Sequence, residues 1–220
     1  MQLRWFGQSA FLLEGSNRVF VDPFGEMSAT LKERNFRFDY PPIDGVDADV
    51  LLVTHEHLDH NQVEVIGGDP HVIRSRAGTH DSPIGEVVGV ASEHDAVAGT
   101  QRGDNTIFCF TLDGVRFCHL GDLGQAALRP EQREAIGAVD VLFLPAGGGP
   151  TVAPEVGAQI VRELAPRVTV LMHYGNEAVD FLDPPDALLD VLGADVHRLE
   201  SSSAEVESLE DGVTIFAVPA

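Results

Sequence analysis

Lysine is almost missing from this chain: Lys32 stands alone among fourteen basic residues, against 35 acidic ones. The net charge of -21 leaves few cations to neutralise phosphates, which disfavours nucleic acid and anionic membrane as partners. Long apolar runs are also lacking. None approaches the roughly 18 residues of a membrane span, and the start MQLRWFGQ has no charged-then-apolar layout of a secretory signal. The expectation is a cytoplasmic protein. Only two cysteines occur, Cys109 and Cys118, in the strand-like runs TIFCFTL and VRFCHL around the turn Asp113-Gly114. They read as buried reduced thiols of a hairpin, not as a disulfide. Without a repeat, a low-complexity tract or a linker, the chain reads as one domain over residues 1–220, long enough for a sizeable core.

What is present is a succession of short apolar runs. LRWFG, AFLLE and RVFVD, parted by Gly and Ser/Asn turn signals, predict a meander with Trp5 and Phe11 in the core. The mixed segment 25–49 predicts a long loop carrying aromatics over a site. DVLLV predicts a strand buried on both faces. Further on, EVVGVA, NTIFCFTL, VRFCHL, VDVLFLP, VTVLM and VTIFAV are strand candidates. PEQREAIG, PEVGAQIVREL and PPDALLDVLG, each opening on proline, predict helices, and NQVEVIG a short one. Strands interleaved with helices imply α/β layering.

The densest chemistry lies in THEHLDH, residues 54–60. A strand ending at Val53 delivers His55 and His57 on extended chain, where alternate residues point the same way and two imidazoles can meet one cation. Asp59 and His60 follow where the chain turns, so they face a neighbouring point. With nine histidines in 220 residues, such a pattern arises by composition in roughly one chain per thousand. Clustered imidazoles would also repel one another when protonated, which argues against a purely structural polar loop. The helical zinc-protease pattern fails because position 59 is Asp. One cluster of four cannot complete two coordination spheres. His94 in SEHD, Asp122 in HLGDLG and His173 in MHYG each follow an apolar strand, where ligands gather at one edge of a layered α/β fold.

The order THEHLDH, EHD, HLGDLG, MHYG resembles the metallo-β-lactamase superfamily, and within it the small hydrolases near ascorbate-6-phosphate lactonase. The openings WFGQSAFLLEGSNRVFVDPF and RGDNTIFCFTLDGVRFCHLGDLG carry the likeness over nearly the whole chain. The resemblance implies a four-layer αββα sandwich of two mixed sheets flanked by helices. It implies that His55, His57 and His94 bind one metal, that Asp59, His60 and His173 bind a second, and that Asp122 bridges them. Asp22 would support an imidazole from behind, as carboxylates do in such sites; a plain turn before Pro23 is the competing reading. Histidine often replaces Gln8 and Gln125 in such relatives, so this chain departs there, in residues near substrate more than at the metals. Aspartate at the bridging position, where one class of true β-lactamases has cysteine, disfavours antibiotic hydrolysis.

Two adjacent divalent ions, Zn2+ favoured with Mn2+ or Fe2+ as alternatives, would produce a hydroxide at ordinary pH to cleave a small ester, lactone or phosphodiester, with Asp59 as the catalytic carboxylate. A small-molecule substrate is expected, and self-association is left open. Arg102 either binds a phosphate or carboxylate or stands as a solvated loop cation. Tyr174 either donates to an oxyanion or packs, and Asn176 lies beside it. Gly147 to Gly149 either lets backbone approach a substrate or simply turns the chain. His119 is a candidate support behind the ligands, whereas His71, His80 and His197 lack partners at ligand spacing. The rival functions are RNA-processing phosphodiesterase, which would want a basic groove, and a metal-binding module without turnover.

Overall fold

The computed structural model describes residues 1–33 and 35–220. Glycine and Ser/Asn turns cut the first apolar runs into β1 (Gln2–Gly7), β2 (Ala10–Glu14) and β3 (Arg18–Val21), paired antiparallel in order as the expected meander. Segment 25–49 is not wholly irregular: it contains the single-turn helix α1 (Ser28–Lys32) and β4 (Val46–Asp47), while its Arg34 lies outside the described residues. The uniformly apolar β5 (Val50–Val53) is fully buried and lies parallel between β3 and the later β7 (His71–Arg74). That placement is what a run without alternation demands.

The short helix expected over 61–67 is absent. A single 3-10 turn, Val63–Val65, gives way to β6 (Ile66–Gly67), which pairs with β4. The β-branched run Val63, Val65, Ile66 explains the difference, since such side chains lose χ1 freedom in a helix and fit an extended chain.

The second half forms β8 (Gly78–Ser82), β9 (Gly85–Glu93), β10 (Asp104–Leu112), β11 (Val115–His119), α2 (Pro130–Ile136), β12 (Val141–Pro145), α3 (Pro154–Leu164), β13 (Val168–Met172) and α4 (Asp186–Leu192). β14 (Val196–Arg198), β15 (Ser203–Glu205) and β16 (Gly212–Ile215) complete it. The hairpin of β10 and β11 turns at Asp113-Gly114, both at positive φ, and sets the free thiols of Cys109 and Cys118 opposite each other. α3 buries Gly157, Ala158 and Ile160, and Gly157 lets Leu188 of α4 approach closely.

Two mixed sheets result, ordered β15-β1-β2-β3-β5-β7 and β14-β16-β13-β12-β11-β10-β9-β8. They pack face to face, with the Phe11 ring 4.5 Å from that of Phe143 and 6.5 Å from that of Phe216. The sandwich has unequal helix layers: α2, α3 and α4 all lie in connections of the eight-stranded sheet, whereas among the described residues the connections of the six-stranded one contain α1 and the 3-10 turns Val63–Val65 and Val206–Ser208. No helix among the described residues is long and apolar enough to cross a membrane.

Strand direction positions the site. β1 and β3 run the same way, as two antiparallel steps require, and β5 is parallel to β3. By the same count β9 runs with β11, and β12 and β13 are parallel to it. The carboxyl ends of these strands therefore share an edge in each sheet, and the side chains that follow them converge.

Because Phe11 is fully buried between the sheets, Phe11→Ala is expected to cost about 3–5 kcal/mol of stability. Urea denaturation followed by circular dichroism checks this.

Candidate metal centre

Each ligand candidate stands just beyond one of those carboxyl ends: His55, His57, Asp59 and His60 after β5, His94 after β9, Asp122 after β11 and His173 after β13. The structure brings all seven together. Donor atoms of His55, His57 and His94 lie within 4.8 Å of one another, as do those of Asp59, His60 and His173. Between the triads sits Asp122. Its Oδ2 is 3.2 Å from Nε2 of both His94 and His173, 3.3 Å from that of His60 and 3.9 Å from that of His55. Asp59 Oδ2 is 3.5 Å from Nε2 of His60 and of His173.

The turns that carry these groups are tightly built. Gly121 sits at positive φ, and a Cβ there would strike Asn105 and Thr54; a Cβ at Gly124 would strike the His94 backbone. Asn105 Oδ1 accepts from the Asp122 N–H at 3.1 Å. Gln8, Asp22 and His173 adopt positive φ without being glycine, and such strain concentrates at functional sites. The His173 N–H donates to Gln8 O at 3.1 Å, which ties two of these strained residues together.

Asp22, after β3, controls the imidazoles from behind. It accepts from Thr54 N and Thr54 Oγ1, each at 2.7 Å, and from His60 Nδ1 at 2.9 Å. Because the Thr54 hydroxyl gives its proton to Asp22, it must accept from His55 Nδ1 at 3.0 Å. One carboxylate thereby orients a histidine in each triad and leaves both Nε2 atoms facing the centre. His119 plays a different part. Its Nε2 donates to Ser9 O at 3.0 Å and its Nδ1 accepts from Gly121 N at 3.1 Å, joining the β1-β2 turn to the Asp122 turn. Burial holds it below the usual histidine range, so it does this as a neutral ring.

Desolvation alone would push Asp122 and Asp59 up, yet the imidazoles around them outweigh it and hold both well below the usual carboxylate range. Desolvation likewise pulls His60 down, but Asp122, Asp59 and Asp22 outweigh it and hold it well above its usual value. Burial, with His60 next, drives His55 well down. The centre therefore binds positive charge. Nε2 of His60 and of His173 are buried without a hydrogen-bond partner despite the nearby carboxylates. Unpartnered ring nitrogens converging with carboxylates suit divalent metal ions, which would displace the His60 proton, and an imidazole and carboxylate set suits zinc, manganese or iron.

Around this centre lies a cavity of about 380 Å³, lined by His57, Asp59, His94, Asp122 and His173, by Arg102, and by apolar side chains that include Phe36 and Phe181. Arg102 is thus brought to the ligand cluster. Tyr174 and Asn176 are not: they line a separate cavity with Arg198 and Phe216. Tyr174 stacks on Trp5 with ring centroids 5.6 Å apart, and Asn176 Nδ2 donates to Tyr40 Oη at 2.7 Å. Gly147 lets the backbone of His173 pass closely, and Gly148 lies against Asp183, so both serve chain packing. Gln125 hydrogen-bonds Gln132 and accepts from the Glu93 N–H.

Several contacts of the site escaped the sequence. Gln8 Nε2 donates to Asp59 Oδ2 at 3.4 Å, and Ser9 Oγ to Asp122 Oδ1 at 3.5 Å. Glu56 anchors the ligand loop: it accepts from Arg74 Nη2 at 2.6 Å and Ser75 Oγ at 2.8 Å, and Arg74 holds its carboxyl at about 2. An arginine pairing with the Glu inside a histidine cluster leaves no local signal.

The Beta-lactamase superfamily domain profile matches residues 2–173. A UPF0173 metal-dependent hydrolase of Thermococcus kodakarensis is 29% identical over 240 residues, covering 96% of this chain and 97% of that protein. A crystal structure from Thermotoga maritima, proposed to be a Zn-dependent hydrolase of the metallo-β-lactamase superfamily, is 30% identical with a TM-score of 0.77, over 98% of this chain and 97% of that one. An isothiocyanate hydrolase from Delia radicum gut bacteria shares the fold at 16% identity and a TM-score of 0.68, over 100% and 98% of the two chains.

Because Asp22 orients His60 directly and His55 through Thr54, Asp22→Asn is expected to weaken metal affinity about 10–100-fold, measured by competition with a chromogenic chelator. Since His60 holds its proton well above the usual range, metal uptake at neutral pH should release at least about one proton and weaken as pH falls. Titration calorimetry in buffers of differing ionisation enthalpy would show it; uptake without proton release would contradict the charge balance described.

Proposed function

We propose that this chain, which belongs to the metallo-β-lactamase superfamily, works with two metal ions on a small ester, lactone or phosphodiester. Family membership makes it a metal-dependent hydrolase; the second ion and the substrate class are the proposal. The observation that supports it is Asp122 Oδ2, within 3.2–3.9 Å of four imidazole nitrogens drawn from both triads.

His55, His57 and His94 would hold one ion, Asp59, His60 and His173 the other, and Asp122 both. When bound, such a pair lowers the pKa of water towards neutrality and polarises a carbonyl or phosphoryl oxygen. The donor set favours zinc, with Mn2+ or Fe2+ as alternatives. Both ligand carboxylates line the cavity, and Asp59 is the more accessible, its side chain 17% exposed against 3% for Asp122. It is therefore the group to orient the attacking water and take its proton at a carboxylate oxygen. Gln8, donating to Asp59, keeps that carboxylate turned towards His60 and His173.

The net charge of -21 opposes the nucleic-acid alternative. A module that merely stores metal has no need of a 380 Å³ cavity opening on its ligands. The opposed free thiols of Cys109 and Cys118 fit a reducing compartment such as the cytoplasm.

Elemental analysis after metal loading should give about two ions per chain, and Asp122→Ala should lower turnover at least about 100-fold. The activity screen would cover lactones, esters, phosphodiesters and β-lactams. Less than one ion per chain at saturation, or turnover untouched by Asp122→Ala, overturns the dinuclear reading.

A further inference from the structure

We infer that Arg102 is a preset anion anchor and that the substrate is a small amphiphilic anion, with a carboxylate or phosphate for Arg102 and an apolar group for the side chains around Phe36. The inference rests on the hydrolase reading and narrows its substrate class.

Three features support it. The first is the way the Arg102 backbone is held. Asp95, directly after the ligand His94, is buried and turns its carboxylate onto its own loop. Oδ1 accepts from Val97 N and Gly99 N, each at 2.9 Å, and Oδ2 accepts from Gln101 N at 2.9 Å and Arg102 N at 2.8 Å. Four backbone N–H groups on one carboxylate fix the loop relative to His94. The guanidinium starts from a point set by the metal centre, so less freedom is lost when it engages a ligand.

The second is that its charge is unspent. Arg18, Arg37, Arg74, Arg129, Arg133 and Arg167 are each paired with a carboxylate. Among the described residues Arg102 has no such partner, and of the arginines without one, Arg4, Arg76, Arg102, Arg116, Arg162 and Arg198, only Arg102 lines the cavity at the ligand cluster. That cavity contains Asp59, Asp122 and His173, and Arg102 also lines two adjoining hollows beside His55 and His94. An unpaired guanidinium offers a planar fork that matches a carboxylate or phosphate through two parallel hydrogen bonds.

The third is the rest of the lining. Met27, Leu31, Phe36 and Phe181 face the same cavity. Phe36 is 43% exposed, and its ring lies 5.6 Å from that of Phe181. An exposed ring packed against a half-buried one at this cavity gains by being covered, which an apolar substituent would do.

Binding to the metal-loaded protein, read by titration calorimetry, separates the two halves of the idea. Phenylphosphonate presents an anion and a ring, methylphosphonate the anion alone, and neither contains a bond this chemistry cleaves. Arg102→Gln should weaken both about tenfold, with Arg102→Lys recovering part of the loss. Phe36→Ala should weaken phenylphosphonate about fivefold and leave methylphosphonate within about twofold. Metal content and melting temperature should stay unchanged in Arg102→Gln, since that side chain has no partner to lose. A change below about twofold for both ligands in Arg102→Gln overturns the anchor, and equal effects of Phe36→Ala on the two ligands overturn the apolar contact. Because these readings are binding constants, they stand apart from turnover. A protein that binds as expected but cleaves nothing refutes the hydrolase reading alone, and one that cleaves neutral esters as well as anionic ones refutes this inference alone.

Discussion

Four imidazole nitrogens lie within 3.2 to 3.9 Å of one oxygen of Asp122, inside a protein whose Asp122 side chain is 3% exposed. Rings so close repel one another if protonated, and carboxylates so buried are costly if ionised without cations. Each set makes the other tolerable. The mutual shifts of His60 upwards and of Asp59 and Asp122 downwards express that dependence, and metal ions would meet the same demand for positive charge without protons. The surrounding architecture keeps these groups from moving apart to relieve the crowding.

Two sheets are required for that. Asp22 and His60 descend from the six-stranded sheet, whereas His94, Asp122 and His173 descend from the eight-stranded one. Where the sheets meet, the Phe11 and Phe143 rings make the packed contact, and His119 crosses to Ser9 with a hydrogen bond. A buried neutral histidine is a demanding joint, because both ring nitrogens need partners, and here each has one. Sheet packing and ligand geometry are therefore linked: sliding one sheet past the other would break the Ser9 bond and also separate Asp122 from His60.

Legibility in the sequence followed locality. THEHLDH could be read because its ligands are neighbours in the chain, and His94, Asp122 and His173 because each closes an apolar strand run. The strands of the meander and the three proline-led helices were legible for the same reason. Gln8, Ser9 and the Asp22 link to Thr54 were not, since they act on residues 51, 113 and 32 positions away. Nearness in sequence also misled. Tyr174 and Asn176 adjoin His173, but consecutive side chains leaving a strand point to opposite sides. His173 turns to Asp122 and Tyr174 to Trp5.

The strained residues show where the fold yields to the site. Asp22 and His173 follow β3 and β13 at positive φ, where a non-glycine residue sits at some cost. Asparagine or glycine would suit that backbone better, yet neither can do what these side chains do. Asp22 holds Thr54 and His60 at once, and His173 reaches both Asp59 and Asp122. Gln8, the third such residue, accepts the His173 N–H and donates to Asp59. Other non-glycine residues at positive φ, such as Asp113 and Ala165, lie in turns and at a helix end; these three sit beside the carboxylate-imidazole cluster, whose electrostatic contacts offset their strain. Local backbone preference gives way here because the cluster over-determines it.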